Sequence, residues 1–424
     1  MDAKPSHEQI IISDRARVDS LQNRLSTASN IAAGRGGLRA VSIPAHTGDF
    51  VRSGNYIVNV GIGTPKQDFS VEFDTGSDLS WIQCKPCNRC YPQNDPLFDP
   101  AKSSTYSSIC CGSAECAAQP NPPSCSGDRA CRYQVDYADK SRSSGNFSRN
   151  TLTLSPRDQL PNFRFGCGDH NRWFFGQAAG LIGLGRGASS LISQASQKYG
   201  AIFSYCLPSI ASSTGYLSVG STGSAPAGIR YTPMIREASD SSLYYVKLVA
   251  IKVGGKKLDI KQKVFSKART LMDSGTVITR LPPAAYSAMR AVFRRHMVNY
   301  TAAPAFQILD TCYNLGGHEE VKVPAVELVF DGGASLNLDL DGIMMADPSQ
   351  ACLAFAGNSN DQQLSIIGNT QQMSSLWCMI SLINGLGLAP KVVPDYLATN
   401  CTENDLCILQ AIIIIIRDLF FCSR

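Results

Sequence analysis

At 424 residues the chain can bury one large core or two moderate ones, and its net charge of +5 is too small for that length to imply a nucleic-acid partner by itself. Apolar content of 44% is that of a globular protein, and 35 Gly with 22 Pro suit a turn-rich β fold. Sixteen Cys is the informative count, because it points to an oxidising compartment.

Met1 is followed by Asp2, Lys4, His7 and Glu8 with no apolar segment, so no signal peptide is read at this end. Residues 8–26 carry Ile11, Ile12, Val18, Leu21 and Leu25 among charges, at spacings that predict a helix. A Gly- and Ala-rich linker at 31–40 leads to Tyr56, where strand-like alternation begins. From 55 to about 210 the chain reads as short strands between Gly, Ser and Asn turns, and 215–372 repeats that character. One helical stretch, Pro283 to His296, interrupts the second half. The predicted organisation is residues 1–40 as a leading segment and linker, 41–210 as one lobe, 211–390 as a second, and 391–424 as a tail.

Eight of the Cys fall between Cys84 and Cys131, in a stretch rich in Pro, Ser and Asn. The spacing of Cys84, Cys87 and Cys90 fits metal ligands, but no His lies nearby and the surroundings are loop-like. A disulfide-stapled insertion over 84–131 is the expectation, with no metal. Sequons at Asn146, Asn299 and Asn400 agree with a secretory route.

The motif that carries chemistry occurs twice. Val71-Glu72-Phe73-Asp74-Thr75-Gly76-Ser77 is echoed by Thr270-Leu271-Met272-Asp273-Ser274-Gly275-Thr276. Each places a carboxylate after an apolar run, then a hydroxyl residue, Gly and a second hydroxyl residue. A buried Asp is costly unless its oxygens accept hydrogen bonds, which the hydroxyls can donate, while Gly lets the backbone come close. Each Asp is followed by a second matching element, Ala179 to Gly185 and Ser365 to Thr370. Two related lobes thus contribute one Asp each. Two carboxylates a few ångströms apart share one proton, so one member can activate water while the other protonates a carbonyl. Such chemistry needs neither metal, cofactor nor covalent intermediate.

These blocks, together with Asn55 to Val58, Gly61 to Pro65, Asp78 to Trp81, Phe165 to Gly168, Phe203 to Leu207, Asp273 to Pro282 and Cys352 to Phe355, make the chain resemble a plant pepsin-like aspartic endopeptidase of the nepenthesin and chloroplast-nucleoid DNA-binding protease branch, from about residue 8 to about 372. The resemblance implies a mainly β, bilobal fold with the Cys-rich insertion in the first lobe. It implies Asp74 and Asp273 as the catalytic pair, Ser77 and Thr276 on their outer oxygens, and Thr75 and Ser274 interlocking the lobes. Gly76 and Gly275 belong to the same loops, and Gly183 and Gly368 allow close packing beneath each Asp. Cys312 and Cys352 look like the family's second-lobe disulfide, whereas Cys110 and Cys111 stand where one Cys is usual, leaving one thiol over.

Tyr137 matches the tyrosine of the family's mobile flap. Ala138-Asp139-Lys140-Ser141 follows where Gly-Asp-Gly-Ser is usual, so the turn has lost two glycines and weaker activity is expected. Asn150 replaces a common Asp. Residues 8–26 resemble the end of an inhibitory prosegment. Beyond Gln372 the family's Tyr-Asp strand pair and Gly-Phe-Ala-Pro ending are lost, returning briefly at Gly385 to Pro390, which puts folding of the second lobe in question.

Substrates implied by the resemblance are proteins or peptides, cleaved at acidic pH by a monomeric enzyme. The expected compartment is extracellular or vacuolar, with the plastid as an alternative. The other functional reading is a weakly active or inactive binding protein, such as the xylanase inhibitors of this branch. Intact Asp motifs favour the enzyme. Lys247, Lys252, Lys256, Lys257, Lys261, Lys263, Lys267 and Arg269 make a basic stretch that raises contact with DNA, but no aromatic interleaving supports it and a solvated hairpin face is the better reading.

Overall fold

The computed structural model describes residues 6–23, 39–119, 124–137, 141–172, 175–220, 229–235, 242–267, 269–347, 349–380 and 385–389. The tail 391–424, the sequon at Asn400, Leu25, most of the expected linker and flap residues 138–140 lie outside them.

The chain begins as a helix, His7–Asn23. Ser6 and Gln9 close its start reciprocally: the Ser6 hydroxyl accepts from the Gln9 amide, and the Ser6 amide donates to the Gln9 side chain, both at 3.3 Å. Ile11, Val18 and Leu21 of the expected apolar set are buried, but Ile12 is 43% exposed. The spacing of Ile11, Val18 and Leu21 defines one stripe, and Ile12 falls off it. The first strand, Ala40–Thr47, starts earlier than the alternation at Tyr56 had suggested.

Both lobes are built from the same local plan. Strand Gln67–Asp74 runs parallel to Gly180–Gly183, with Gly183 opposite Asp74. Strand Thr270–Met272 runs parallel to Ser365–Ile367, just before Gly368. In each lobe a third strand, Trp81–Gln83 or Thr279–Leu281, pairs antiparallel with the Gly-bearing strand. It also pairs parallel with a fourth, Asp158–Arg172 or Phe355–Gly357. Parallel strands covered on both faces need nearly continuous apolar runs, and Phe73, Leu181, Ile182, Leu271, Met272, Ile366 and Ile367 are all buried. The Gly183 position is tight: a Cβ there would lie 2.3 Å from the Asp78 carbonyl oxygen, and one on Gly368 2.5 Å from that of Val277. The expected helix in the second lobe is present, as Pro283–His296.

A long sheet ties the lobes together. Ala40–Thr47 pairs with Gly215–Gly220, which pairs with Ile202–Cys206. That strand pairs with Leu376–Ile380, then Gly385–Ala389, then Arg230–Pro233. The strand pair that the altered text beyond Gln372 put in question therefore forms, with Trp377 fully buried.

The Cys-rich segment is stapled by Cys84–Cys167, Cys87–Cys90, Cys111–Cys125 and Cys116–Cys131. Cys312–Cys352 fastens the second lobe, and Cys206 and Cys378 are each disulfide-bonded. Cys110 is the thiol left over, and it is exposed. The basic stretch includes a hairpin of Leu248–Val253 with Lys256–Lys257, where Lys252 pairs with Glu327 at 2.9 Å and Lys247 with Asp331 at 3.8 Å.

Candidate active site

Asp74 and Asp273 end their strands facing one another across the junction of the lobes, and both are buried. The Ser77 hydroxyl donates to Asp74 Oδ2 at 2.5 Å and the Gly76 amide to Oδ1 at 2.8 Å. In the second copy the Thr276 hydroxyl donates to Asp273 Oδ2 and the Gly275 amide to Oδ1 at 3.0 Å. The two glycines make the approach feasible. A Cβ on Gly76 would sit 2.5 Å from Asp273 Oδ1, and one on Gly275 2.5 Å from Asp74 Oδ1.

Thr75 and Ser274 lock the loops together. The Thr75 hydroxyl donates to the Met272 carbonyl at 3.0 Å and accepts from the Ser274 amide at 2.9 Å. The Ser274 hydroxyl donates to the Phe73 carbonyl at 3.1 Å and accepts from the Thr75 amide at 3.1 Å. Four hydrogen bonds thus fix the relative position of the two carboxylates, all of them buried.

Tyr137 stands at the end of the hairpin Cys131–Asp136 with Arg142–Ser155. Its hydroxyl accepts from Trp81 Nε1 at 2.9 Å, and its ring meets Phe175 edge-on. The Tyr137 amide donates to the Ser141 carbonyl at 2.8 Å, closing the hairpin below its tip.

Sequence reasoning missed the central residue of the site. Arg17 of the N-terminal helix reaches between the two Asp: its Nη2 donates to Asp74 Oδ1 at 2.6 Å and to Asp273 Oδ1 at 2.8 Å, while Nε donates to Asp273 Oδ2 at 3.1 Å. One nitrogen therefore bridges both carboxylates. Asp14, one turn earlier, is buried against the second lobe, taking the amides of Val277 and Ile278 and the guanidinium of Arg280. Asp14 falls within the stripe of Ile11, Val18 and Leu21 and Arg17 borders it, a signal that reading the apolar residues alone passed over.

Burial pushes the Asp74 carboxyl up, but Arg17, the Ser77 hydroxyl and the Gly76 amide outweigh it and hold the group below its ordinary value. Burial also raises Asp273; Arg17 opposes this, the charge of Asp74 adds to it, and the group stays above its ordinary value. The two carboxyls are thus pushed apart, Asp74 down and Asp273 up. Beside them runs a cavity of about 410 Å³, lined among others by Arg17, Glu72, Tyr137, Phe175, Gly275 and Val277. Among the described residues no cluster of His, Cys, Asp and Glu suits a metal ion.

Two family models described as xylanase inhibitor N-terminal and xylanase inhibitor C-terminal match residues 56–221 and 243–378. The chain is 45% identical to an Arabidopsis thaliana aspartyl protease family protein over 87% of its own length and 79% of the relative's. Aspartic proteinase nepenthesin-2 of Nepenthes gracilis is 36% identical over 79% of this chain and 76% of the relative. Among solved structures, basic 7S globulin from soybean superposes with a TM-score of 0.67 at 19% identity, covering 84% of this chain and 98% of that one. Conglutin gamma from lupine seeds does so with a TM-score of 0.69 at 16% identity, covering 87% and 100%. These two likenesses are ones of fold. The duplicated Asp loops, their interlocked hydroxyls and the sequence relatives agree: the chain belongs to the plant pepsin-like aspartic protease family.

Proposed function

We propose that this protein is an aspartic endopeptidase held in its zymogen form by its own N-terminal helix. The observation that carries the reading is the pair of carboxylates close enough to share one guanidinium nitrogen, each fastened by the hydroxyl and glycine of its own loop. With the helix displaced, Asp74 is the base. It takes a proton from water as the water oxygen attacks the peptide carbonyl, and Asp273 gives its proton to the carbonyl oxygen. The Asp74 proton then passes to the amide nitrogen as the C–N bond breaks, and Asp273 recovers a proton from the hydroxyl. Tyr137 covers the cleft and excludes water.

Substrates are extended segments of protein or peptide, and the enzyme acts as a monomer. The disulfide set favours an oxidising compartment, extracellular or vacuolar. The test is hydrolysis of a denatured protein at pH 3–5 by the full chain beside Asp74→Asn and Asp273→Asn, each of which should abolish it. A folded chain that has shed its helix and cleaves nothing would move the reading to a binding protein.

A further inference from the structure

Arg280 lies seven residues after Asp273, as Trp81 lies seven after Asp74. The pairings agree: Trp81 lies opposite Leu181 and Arg280 opposite Ile366, each partner standing two residues before the glycine beneath its Asp. The duplication therefore sets Arg280 in the second lobe where Trp81, which holds Tyr137 at the wall of the cleft, stands in the first. Arg280 is only 4% exposed. Among the described residues its ion pair is with Asp14 at 2.7 Å, and its guanidinium also donates to the Ile278 carbonyl at 2.8 Å. The other Asp14 oxygen accepts from the amides of Val277 and Ile278. A planar guanidinium and two converging backbone N–H groups form a site shaped for a carboxylate. The carboxylate that fills it belongs to the segment that must leave before substrate enters.

We infer that the emptied site is a specificity subsite for an Asp or Glu side chain of the peptide substrate, with Asp14 as its built-in surrogate. The inference rests on the endopeptidase reading above. Asp14 and Arg17 are one helical turn apart, an axial step of about 4.5 Å that an extended chain covers in one to two residues, so the acidic side chain lies about one or two residues from the scissile bond in an extended substrate.

The test uses the full chain, activated by acid, on a peptide library at pH 5, where a glutamate side chain is largely ionised. Values of kcat/KM then follow for matched peptides carrying Glu, Gln or Lys at the selected position. The expected result is a preference for Glu over Gln of at least about tenfold, with Lys poorer still. In Arg280→Gln the Glu preference should vanish while cleavage of the Gln peptide persists. Equal wild-type rates on Glu and Gln peptides overturn the subsite and leave the endopeptidase reading standing. A preference that survives in Arg280→Gln overturns the assignment to Arg280. No cleavage of any peptide by a chain that has shed its helix overturns both readings. Should Arg280→Gln fail to fold, the wild-type ranking of Glu, Gln and Lys still decides.

Discussion

Glu72 stands two residues before Asp74 on one strand, so strand periodicity puts both carboxyls on the same face while Phe73 turns into the core. Its oxygens accept from the Ser53 hydroxyl at 2.5 Å and the Asn55 side chain at 3.0 Å. Burial raises it to about 7 against those hydrogen bonds and the pull of Arg17. A carboxyl raised by folding contributes stability that is fully present below its unfolded value, about 4.3, and is lost as pH rises through about 7. The Glu72→Gln variant keeps the shape without the ionisation. Wild type and variant should therefore melt alike at pH 4, whereas at pH 8 the variant should be more stable, on the order of 3–4 kcal/mol. Thermal unfolding across pH reads this out, and parallel curves would exclude Glu72 as the cause of neutral-pH instability. The buried, proton-holding neighbour suits a site that works in acid.

The N-terminal helix is the element that sets the state of the site. Ile11, Val18 and Leu21 bury their side chains on the second lobe, each worth about 1.5–3 kcal/mol. Gln22 adds hydrogen bonds to the Leu364 backbone. The charged contacts add pH dependence. Because Asp74 is held below its ordinary value, its share of the docking is present above the carboxylate range and lost as pH falls through the lowered value. On Asp273 too Arg17 pulls the carboxyl down, against burial and the charge of Asp74, so on the proposed zymogen reading the grip of Arg17 on both carboxyls is lost as acid protonates them. Removing Arg17 leaves buried carboxylates without their cation, which costs about 3–5 kcal/mol. The Arg17→Ala chain should show no lag in hydrolysis at pH 5, where the wild-type chain starts slowly. Its activation should be faster by roughly a hundredfold or more. A lag of equal length in both would mean that the guanidinium does not hold the helix in place. This element also marks the limit of what a sequence discloses. The apolar spacing announced a helix and its period places Asp14 within the buried stripe and Arg17 at its margin, but which groups those charges meet depends on the lobe opposite, which no local pattern encodes.

Across the whole molecule, the duplication was legible because each Asp loop repeats in text what it repeats in geometry, down to the Gly183 and Gly368 partners. The loss of the usual Asp at Asn150 was legible too: its oxygen accepts from Ser103, Thr105 and the Thr151 amide, while its Nδ2 finds no partner among the described residues. The C-terminal strands were not, because their residues depart from the expected ones while their pairings persist. Gln372 explains part of that tolerance. Its side chain accepts from the Tyr205 hydroxyl at 2.6 Å and donates to the Ile367 carbonyl at 2.7 Å, and its own carbonyl accepts from Trp377 Nε1 at 2.9 Å. The strand behind Asp273 is thereby joined to the sheet between the lobes. Trp377 anchors the junction, wholly buried within the strand that pairs with Ile202–Cys206, opposite Tyr205. Trp377→Ala removes a large core side chain and leaves the Gln372 carbonyl without its donor, a loss of about 3–5 kcal/mol. Urea unfolding should show that loss as a lower midpoint with unchanged slope. A chain ending at Ser375 exposes the edges of Ile202–Cys206 and Arg230–Pro233 instead, and should aggregate on refolding. A truncated chain that refolds to a soluble monomer with the acid activity of the full chain would show that the final strand pair is dispensable to the Asp74–Asp273 arrangement.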